Sequence, residues 1–431
     1  MKIALVNPAW SFQGSIYFGC REAHLPLEYG YAQALLEGAG HDVLLVDAQL
    51  RALDSADVRA ELARFRPQMT VLTTAPSYLF WRCAPPELRV PMTTAEAIRD
   101  VAGCLVIVGP HASTTPRATL KKLGADFAIV GECEDVLVAL ASSPDRDARL
   151  RSVVWLDELG SLGGNGEKNA TKMSELPALR WSRELLDRHI HHHHRFDRPA
   201  QGSGAEVEAS RGCPYHCTFC AKDNFRNGFR KRPLATVLAE LDELIGNGVR
   251  YVYFIDEIFL PDKKLLEALV ERDIEFGVQM RIDNWSTEML DLLGAAGCVS
   301  IEAGMESITE RGRSLLAKNC KLTTEELTSR LIHAKRAVPF VQANLLDSSS
   351  DPKEDVQAWR RRLHDAGVWA NDPVPLFPYP GSPEFTLRFG HCEDDAWERA
   401  HAHYLREFAA FSDVQDERPC PLFELERVSH D

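Results

Sequence analysis

The segment Ser210-Arg211-Gly212-Cys213-Pro214-Tyr215-His216-Cys217-Thr218-Phe219-Cys220 constrains this chain more than any other. Its three cysteines, separated by three and then two residues, can wrap a compact loop around one cubane [4Fe–4S] cluster. Soft thiolates suit iron, and three ligands leave the fourth iron open for a chelating substrate, much as catalytic zinc sites keep one position free. A structural zinc usually takes four protein ligands, and apart from His216 no nearby Cys or His has the spacing to be the fourth. The chain has eleven cysteines, an odd number. The remaining Cys20, Cys83, Cys104, Cys133, Cys298, Cys320, Cys392 and Cys420 are scattered and read as small hydrophobes. The start Met1-Lys2-Ile3-Ala4-Leu5-Val6-Asn7-Pro8 turns polar too soon for a signal peptide. Cytoplasmic localisation is therefore expected, where clustered cysteines are metal ligands or reactive thiols and not disulfides.

Around this loop the pattern is strand, helix, strand, helix. Strands are expected at Ile3–Val6, Val43–Asp47, Thr70–Thr74, Leu105–Val108 and Phe127–Val130, with amphipathic helices between them, which implies an α/β doubly wound parallel sheet. Such a sheet binds ligands beyond the carboxyl ends of its strands. Asn7-Pro8, Asp47, Thr73-Thr74, Gly109-Pro110-His111 and Gly131-Glu132 stand there. The polar stretch Ser161 to Lys172 reads as a surface connection. His189 and His191 to His194 cannot all face one point, so a structural or solvated role is expected, with one or two proton donors as the alternative. A second alternation follows, with strands at Val207–Ser210, Tyr251–Ile255, Gly277–Ile282, Val299–Ala303, Phe340–Leu346 and Val374–Phe377. Six such repeats predict a partial (β/α)6 barrel. The expected organisation is a Rossmann-like domain over residues 1–145, a linker over 146–200, the barrel over 201–383 and a helical segment over 384–431.

The formal net charge of −14 argues against nucleic acid as a partner, because phosphate binding needs a basic face. No apolar run approaches a membrane span. A small-molecule substrate is expected, and the acidic surface is compatible with a cationic one.

The cysteine spacing, with Phe219 before the last cysteine, is the pattern of the radical SAM superfamily, and the chain is identified as a member of it. The resemblance implies that the open iron takes S-adenosylmethionine, whose reductive cleavage releases a 5′-deoxyadenosyl radical. It also implies an electron donor such as flavodoxin or ferredoxin. Matched to that family, Asp256 and Glu257 occupy the element that holds the methionyl ammonium, a task suited to carboxylates. Gln279 and Arg281 lie on the strand that contacts the methionine carboxylate or the ribose, and Glu302 and Glu306 near ribose and carboxylate. Pro378-Tyr379-Pro380-Gly381-Ser382-Pro383 resembles an element near the barrel end of cobalamin-type members. The N-terminal pattern resembles the cobalamin-binding domain found ahead of many radical SAM domains, in which Gly-Pro-His and Gly-Glu loops face the corrin. This chain lacks the Asp-x-His-x-x-Gly motif that supplies a histidine to cobalt, so a domain that holds cobalamin and a scaffold that has lost it are both open.

The chain further resembles the radical SAM dehydratases of apramycin-type aminoglycoside C3′-deoxygenation. That resemblance implies radical dehydration of a diol on an aminosugar, a separate reductase partner, and a proton donor for the departing hydroxyl. Tyr215 is the candidate for that acid. The alternative is a cobalamin-dependent radical C-methyltransferase.

Overall fold

The computed structural model describes residues 1–16, 22–76, 84–143, 150–189, 202–222, 228–347, 350–408 and 418–427. Cys20, Cys83 and His191 to His194 lie outside the described residues. Two sheets organise the chain. In the first, β1 (Lys2–Asn7), β2 (Asp42–Asp47), β3 (Met69–Thr73), β4 (Cys104–Val108) and β5 (Phe127–Ile129) are parallel, in spatial order β2-β1-β3-β4-β5. β1 and β3 are near-continuous apolar runs because helices cover both faces of the sheet. The chain order reverses beside β1, so the ends of β1, β2 and β3 frame the crevice expected of a doubly wound sheet.

The connection differs from expectation. β6 (Val153–Leu156) and β7 (Leu162–Gly164) join this sheet antiparallel beyond β5. Their glycines allow it, since a Cβ on Gly163 or Gly164 would stand 2.7 or 2.5 Å from the Trp155 ring. A short hairpin of small residues carries little periodicity, which is why it reads as a loop.

The second sheet is wholly parallel. It contains β8 (Ser203–Val207), then β11 (Val249–Phe254), β12 (Glu275–Met280), β13 (Cys298–Glu306), β14 (Phe340–Leu345) and β15 (Trp369–Ala370), in the order β15-β14-β13-β12-β11-β8. Between β8 and β11, the short strands β9 (Ser210–Arg211) and β10 (Arg230–Lys231) pair antiparallel and close the cysteine loop at its base. The partial barrel is as expected, except that its last strand lies at Trp369–Ala370. Val374 makes only an isolated bridge to Leu346. Pro373 and Pro375 beside it have no N–H to give a ladder.

Along the barrel strands, outward side chains are apolar and inward ones polar. Register places Gln279, Glu302 and Gln342 in one inner row, and Tyr253, Gly277 and Ser300 in the row below. Gly277 has a packing reason, since its Cβ would stand 2.4 Å from the Tyr251 hydroxyl.

One apolar core runs through both domains, from Ile3 and Tyr31 to Val207 and Phe254. The C-terminal segment adds the helices Pro383–Phe389, Ala396–Glu407 and Leu422–Leu425. Among the described residues no helix is long and apolar enough to cross a membrane.

Candidate functional site

The cysteine loop leaves the end of β9 through Gly212, whose φ of 81° favours glycine. The loop is held from three directions. The Gly212 N–H donates to Glu257 Oε2 at 2.7 Å. The Thr218 N–H donates to the Leu316 carbonyl at 3.0 Å, and the Thr218 carbonyl accepts from the Glu384 N–H at 2.9 Å. The element Pro378 to Pro383 thus serves the loop directly, because buried Ser382 caps the helix that supplies the Glu384 N–H.

Cys213, Cys217 and Cys220 are all partly exposed. They line one cavity of about 240 Å³ at the carboxyl ends of the barrel strands. Burial raises the Cys213 and Cys217 thiols above their ordinary range, so a cation is needed to hold their sulfurs as thiolates.

Of the other expected residues, Tyr215, Phe219, Glu257, Gln279, Arg281 and Glu306 line the same cavity. Two of them present uncommitted polar atoms. Among the described residues neither Gln279 Oε1 nor Arg281 Nη1 has a hydrogen-bond partner, although both atoms are buried. Leaving such groups unsatisfied costs about 1–3 kcal/mol each, more where charged, so they mark where a polar ligand is expected. Arg281 Nε and Nη2 are bound by Asp283 at 3.1 and 2.7 Å, which fixes the plane of the guanidinium and leaves Nη1 outward. Glu306 sits at φ 58°, a strained backbone for a non-glycine residue, and pairs with Lys318, which also donates to the Gly304 carbonyl at 2.8 Å.

Three expected residues stand apart from this pattern. Asp256 does not line the cavity. It is fully buried, and accepts the Ala209 N–H at 2.8 Å and the Ser210 hydroxyl, tying the end of β8 to β11. Burial raises its carboxyl to about 8. Glu302 is not among the lining residues either, and its carboxylate acts on the buried Tyr251. The Tyr215 phenol donates to Asn284 Oδ1 at 2.7 Å, and the Arg281 guanidinium lies 3.8 Å over its ring. This arrangement fixes the Tyr215 ring against Arg281.

Sequence reasoning missed Lys318, Lys222, Ile258, Met280 and Tyr379, which also line the cavity. Tyr379 could have been found, since it lies in the Pro-Gly element. Lys318 had no signal, because it is aimed by left-handed residues at Ala317 and Asn319 that no motif announces.

At the N-terminal sheet, Glu132 does not face an open crevice. It is fully buried and paired with Arg230 and Arg211, the latter also held by Glu134 at 2.7 Å and Glu208 at 2.8 Å. His111 is buried too, stacked on Trp397 with ring centroids 4.1 Å apart.

Residues 207–348 match the radical SAM superfamily, and residues 22–141 match the B12 binding domain. An uncharacterized methyltransferase of Pyrococcus horikoshii is 22% identical over 397 residues, covering 89% of this chain and 82% of the relative. The anaerobic magnesium-protoporphyrin IX monomethyl ester cyclase of Cereibacter sphaeroides is 23% identical over 410 residues, 89% of this chain but only 63% of the cyclase. Among solved structures, the radical S-adenosylmethionine methyltransferase TsrM from Kitasatospora setae, with cobalamin and a [4Fe-4S] cluster bound, superposes with a TM-score of 0.70 at 20% identity, covering 89% of this chain and 76% of TsrM. At that identity the likeness is one of fold. The cavity, the three cysteines and both matches agree: the chain carries a radical SAM domain with a B12 binding domain ahead of it.

Proposed function

We propose that this protein is a cobalamin-dependent radical SAM methyltransferase acting on carbon of a small molecule. The observation that carries the reading is the cavity itself, where three thiols, a carboxylate, and the uncommitted Gln279 Oε1 and Arg281 Nη1 converge. These donors fit a [4Fe–4S] cluster with S-adenosylmethionine. Cys213, Cys217 and Cys220 would ligate iron, Glu257 would accept from the methionyl ammonium, and Arg281 Nη1 would donate to its carboxylate. The cobalamin fit is of a different kind. Beyond the ends of β1 and β2, Ala9, Ser11, Asp54, Ser55, Arg89 and Thr93 line a recess of about 230 Å³. Its mixed donors and acceptors suit the amide-rich rim of a corrin, whereas His111 is closed off by Trp397.

When bound, the cluster and S-adenosylmethionine supply a hydrogen-abstracting radical, and the corrin supplies a methyl carrier. The protein's own part is positioning. Asp283 and Tyr215 hold Arg281 from edge and face, Lys318 neutralises Glu306, and Gly212 is fixed to Glu257. Methyl transfer is favoured over dehydration because the Pyrococcus relative and TsrM are named methyltransferases, and because the phenol that dehydration would need is already bonded to Asn284.

The test is an anaerobic assay of reconstituted holoenzyme with a reductant and candidate small molecules. Methyl transfer yields S-adenosylhomocysteine alongside 5′-deoxyadenosine, and a product one methylene heavier. Formation of 5′-deoxyadenosine without S-adenosylhomocysteine, and a product lighter by one water, would sink it in favour of dehydration.

A further inference from the structure

Away from the cysteine cavity, His24, His189 and Glu206 meet in the seam between the two domains. One donor atom from each lies within 4.8 Å of the others, and the side chains are only 3%, 1% and 2% exposed. They come from three separate pieces of chain. His24 precedes the first helix of the N-terminal domain, His189 ends the helix Arg183–Arg188, and Glu206 stands on β8, the first barrel strand. His24 Nδ1 is 2.6 Å from Glu206 Oε1, and His189 Nε2 is 2.9 and 3.0 Å from the two carboxylate oxygens. The Leu25 N–H also donates to Oε2, at 3.0 Å, which fixes the carboxylate plane.

Two imidazole nitrogens and a carboxylate are the donor set of a borderline divalent ion. Bonds of about 2.0–2.2 Å to such an ion put neighbouring donors roughly 3 Å apart, close to the spacing found here. A second observation comes from β2. Asp47 is buried at its end, and among the described residues neither Asp47 Oδ2 nor His189 Nδ1 has a hydrogen-bond partner. The two groups are near enough to act on one another electrostatically. A histidine that binds metal through one nitrogen commonly offers its other N–H to a carboxylate, and Asp47 is the buried carboxylate that acts on His189 electrostatically.

We propose that His24, His189 and Glu206 bind a divalent transition-metal ion, zinc by its donor set, distinct from the iron–sulfur centre, with Asp47 supporting His189. The ion staples the N-terminal domain to the first barrel strand. Because its ligands lie on both sides of the seam, it binds the folded chain and not the unfolded one, and so stabilises it.

The test is metal analysis of anaerobically isolated full-length holoprotein in which His191 to His194 are replaced by serine, so that the histidine run cannot contribute. The expected result is about one non-cluster divalent ion per chain that survives dialysis against a weak chelator. Glu206→Gln and His189→Gln should each lower that content at least about tenfold, and zinc chloride alone should raise the thermal midpoint of the parent protein but not of the variants. Absence of any metal beyond cluster iron and corrin cobalt, with no thermal response to zinc, manganese or ferrous ion, overturns the proposal. Full metal retention in both variants overturns it too. Should the variants fail to fold, the stoichiometry and zinc response of the parent protein decide alone.

Discussion

Asp256 and Glu257 are neighbours in sequence and opposites in environment. Successive side chains at a strand end point to opposite sides, so only one of the pair can face the cavity. Glu257 does, and Asp256 is sealed beneath the loop. Burial, reinforced by Glu208 and Glu257, raises the Asp256 carboxyl from 3.8 to about 8. Near pH 4 and below, both the folded and unfolded chains carry this proton, and its contribution to stability is whole. As pH rises, the unfolded chain releases the proton while the folded chain keeps it, so stability falls until about pH 8 and then levels. Asp256→Asn keeps an acceptor for the Ala209 N–H and removes the titration. Urea denaturation from pH 5 to 8 should therefore show a shallower fall in the variant; parallel slopes would contradict the assignment. The sequence revealed that acids gather at these strand ends, because period-two alternation and strand order are both legible. It could not say which acid looks inward, since that depends on where each strand stops. Glu302 and Glu306, an even number of residues apart, show the same limit, since only Glu306 lines the cavity.

At the scale of elements, the cysteine loop is set by a clamp that crosses the domain boundary. Arg211 on β9 is fully buried and bonded to Glu208 from the connection between β8 and β9 and to Glu132 and Glu134 from the end of the N-terminal sheet. Tyr31 lies under both Arg211 and Arg232, with the guanidinium carbons 5.8 and 5.2 Å from its ring centroid. A buried ion network is weak evidence of net stability, but breaking one side of it is costly because the remaining charges stay buried. Arg211→Met should destabilise the protein by about 3–5 kcal/mol and lower cluster occupancy after reconstitution. A loss under about 1 kcal/mol with full iron content would show that the loop is set without the clamp. The motif Ser-Arg-Gly-Cys drew attention for its cysteine, and Glu132 for a ligand at the sheet crevice. That the two belong to each other was not readable, because no local pattern records which residues of one domain meet those of another. The same holds for β6 and β7, whose pairing with β5 comes from tertiary contact and not from their own weak periodicity.

For the whole molecule, the C-terminal segment decides what the N-terminal domain can offer. The helix Ala396–Glu407 lays Trp397 on His111, and Lys122 is gripped by Glu398 at 2.8 Å and Glu426 at 2.7 Å. His111 Nε2 faces the Pro86 carbonyl at 3.3 Å, and burial lowers the ring's pKa to about 3, so the imidazole is neutral throughout the physiological range. A neutral imidazole is the form that binds metals, yet this one is enclosed by its own chain. His111 should therefore not be a ligand to the cobalt of cobalamin bound by this protein. Electron paramagnetic resonance of the cob(II)alamin form tests this directly: the spectrum should be unchanged in His111→Ala. Imidazole splitting that disappears in that variant would mean that Trp397 swings away when the corrin arrives. The missing Asp-x-His-x-x-Gly motif and the stacked Trp397 point the same way from independent directions, one from sequence and one from packing. With His111 enclosed, the residues that line the recess beyond β1 and β2, Ser11, Asp54, Arg89 and Thr93 among them, would hold the corrin by packing and hydrogen bonds.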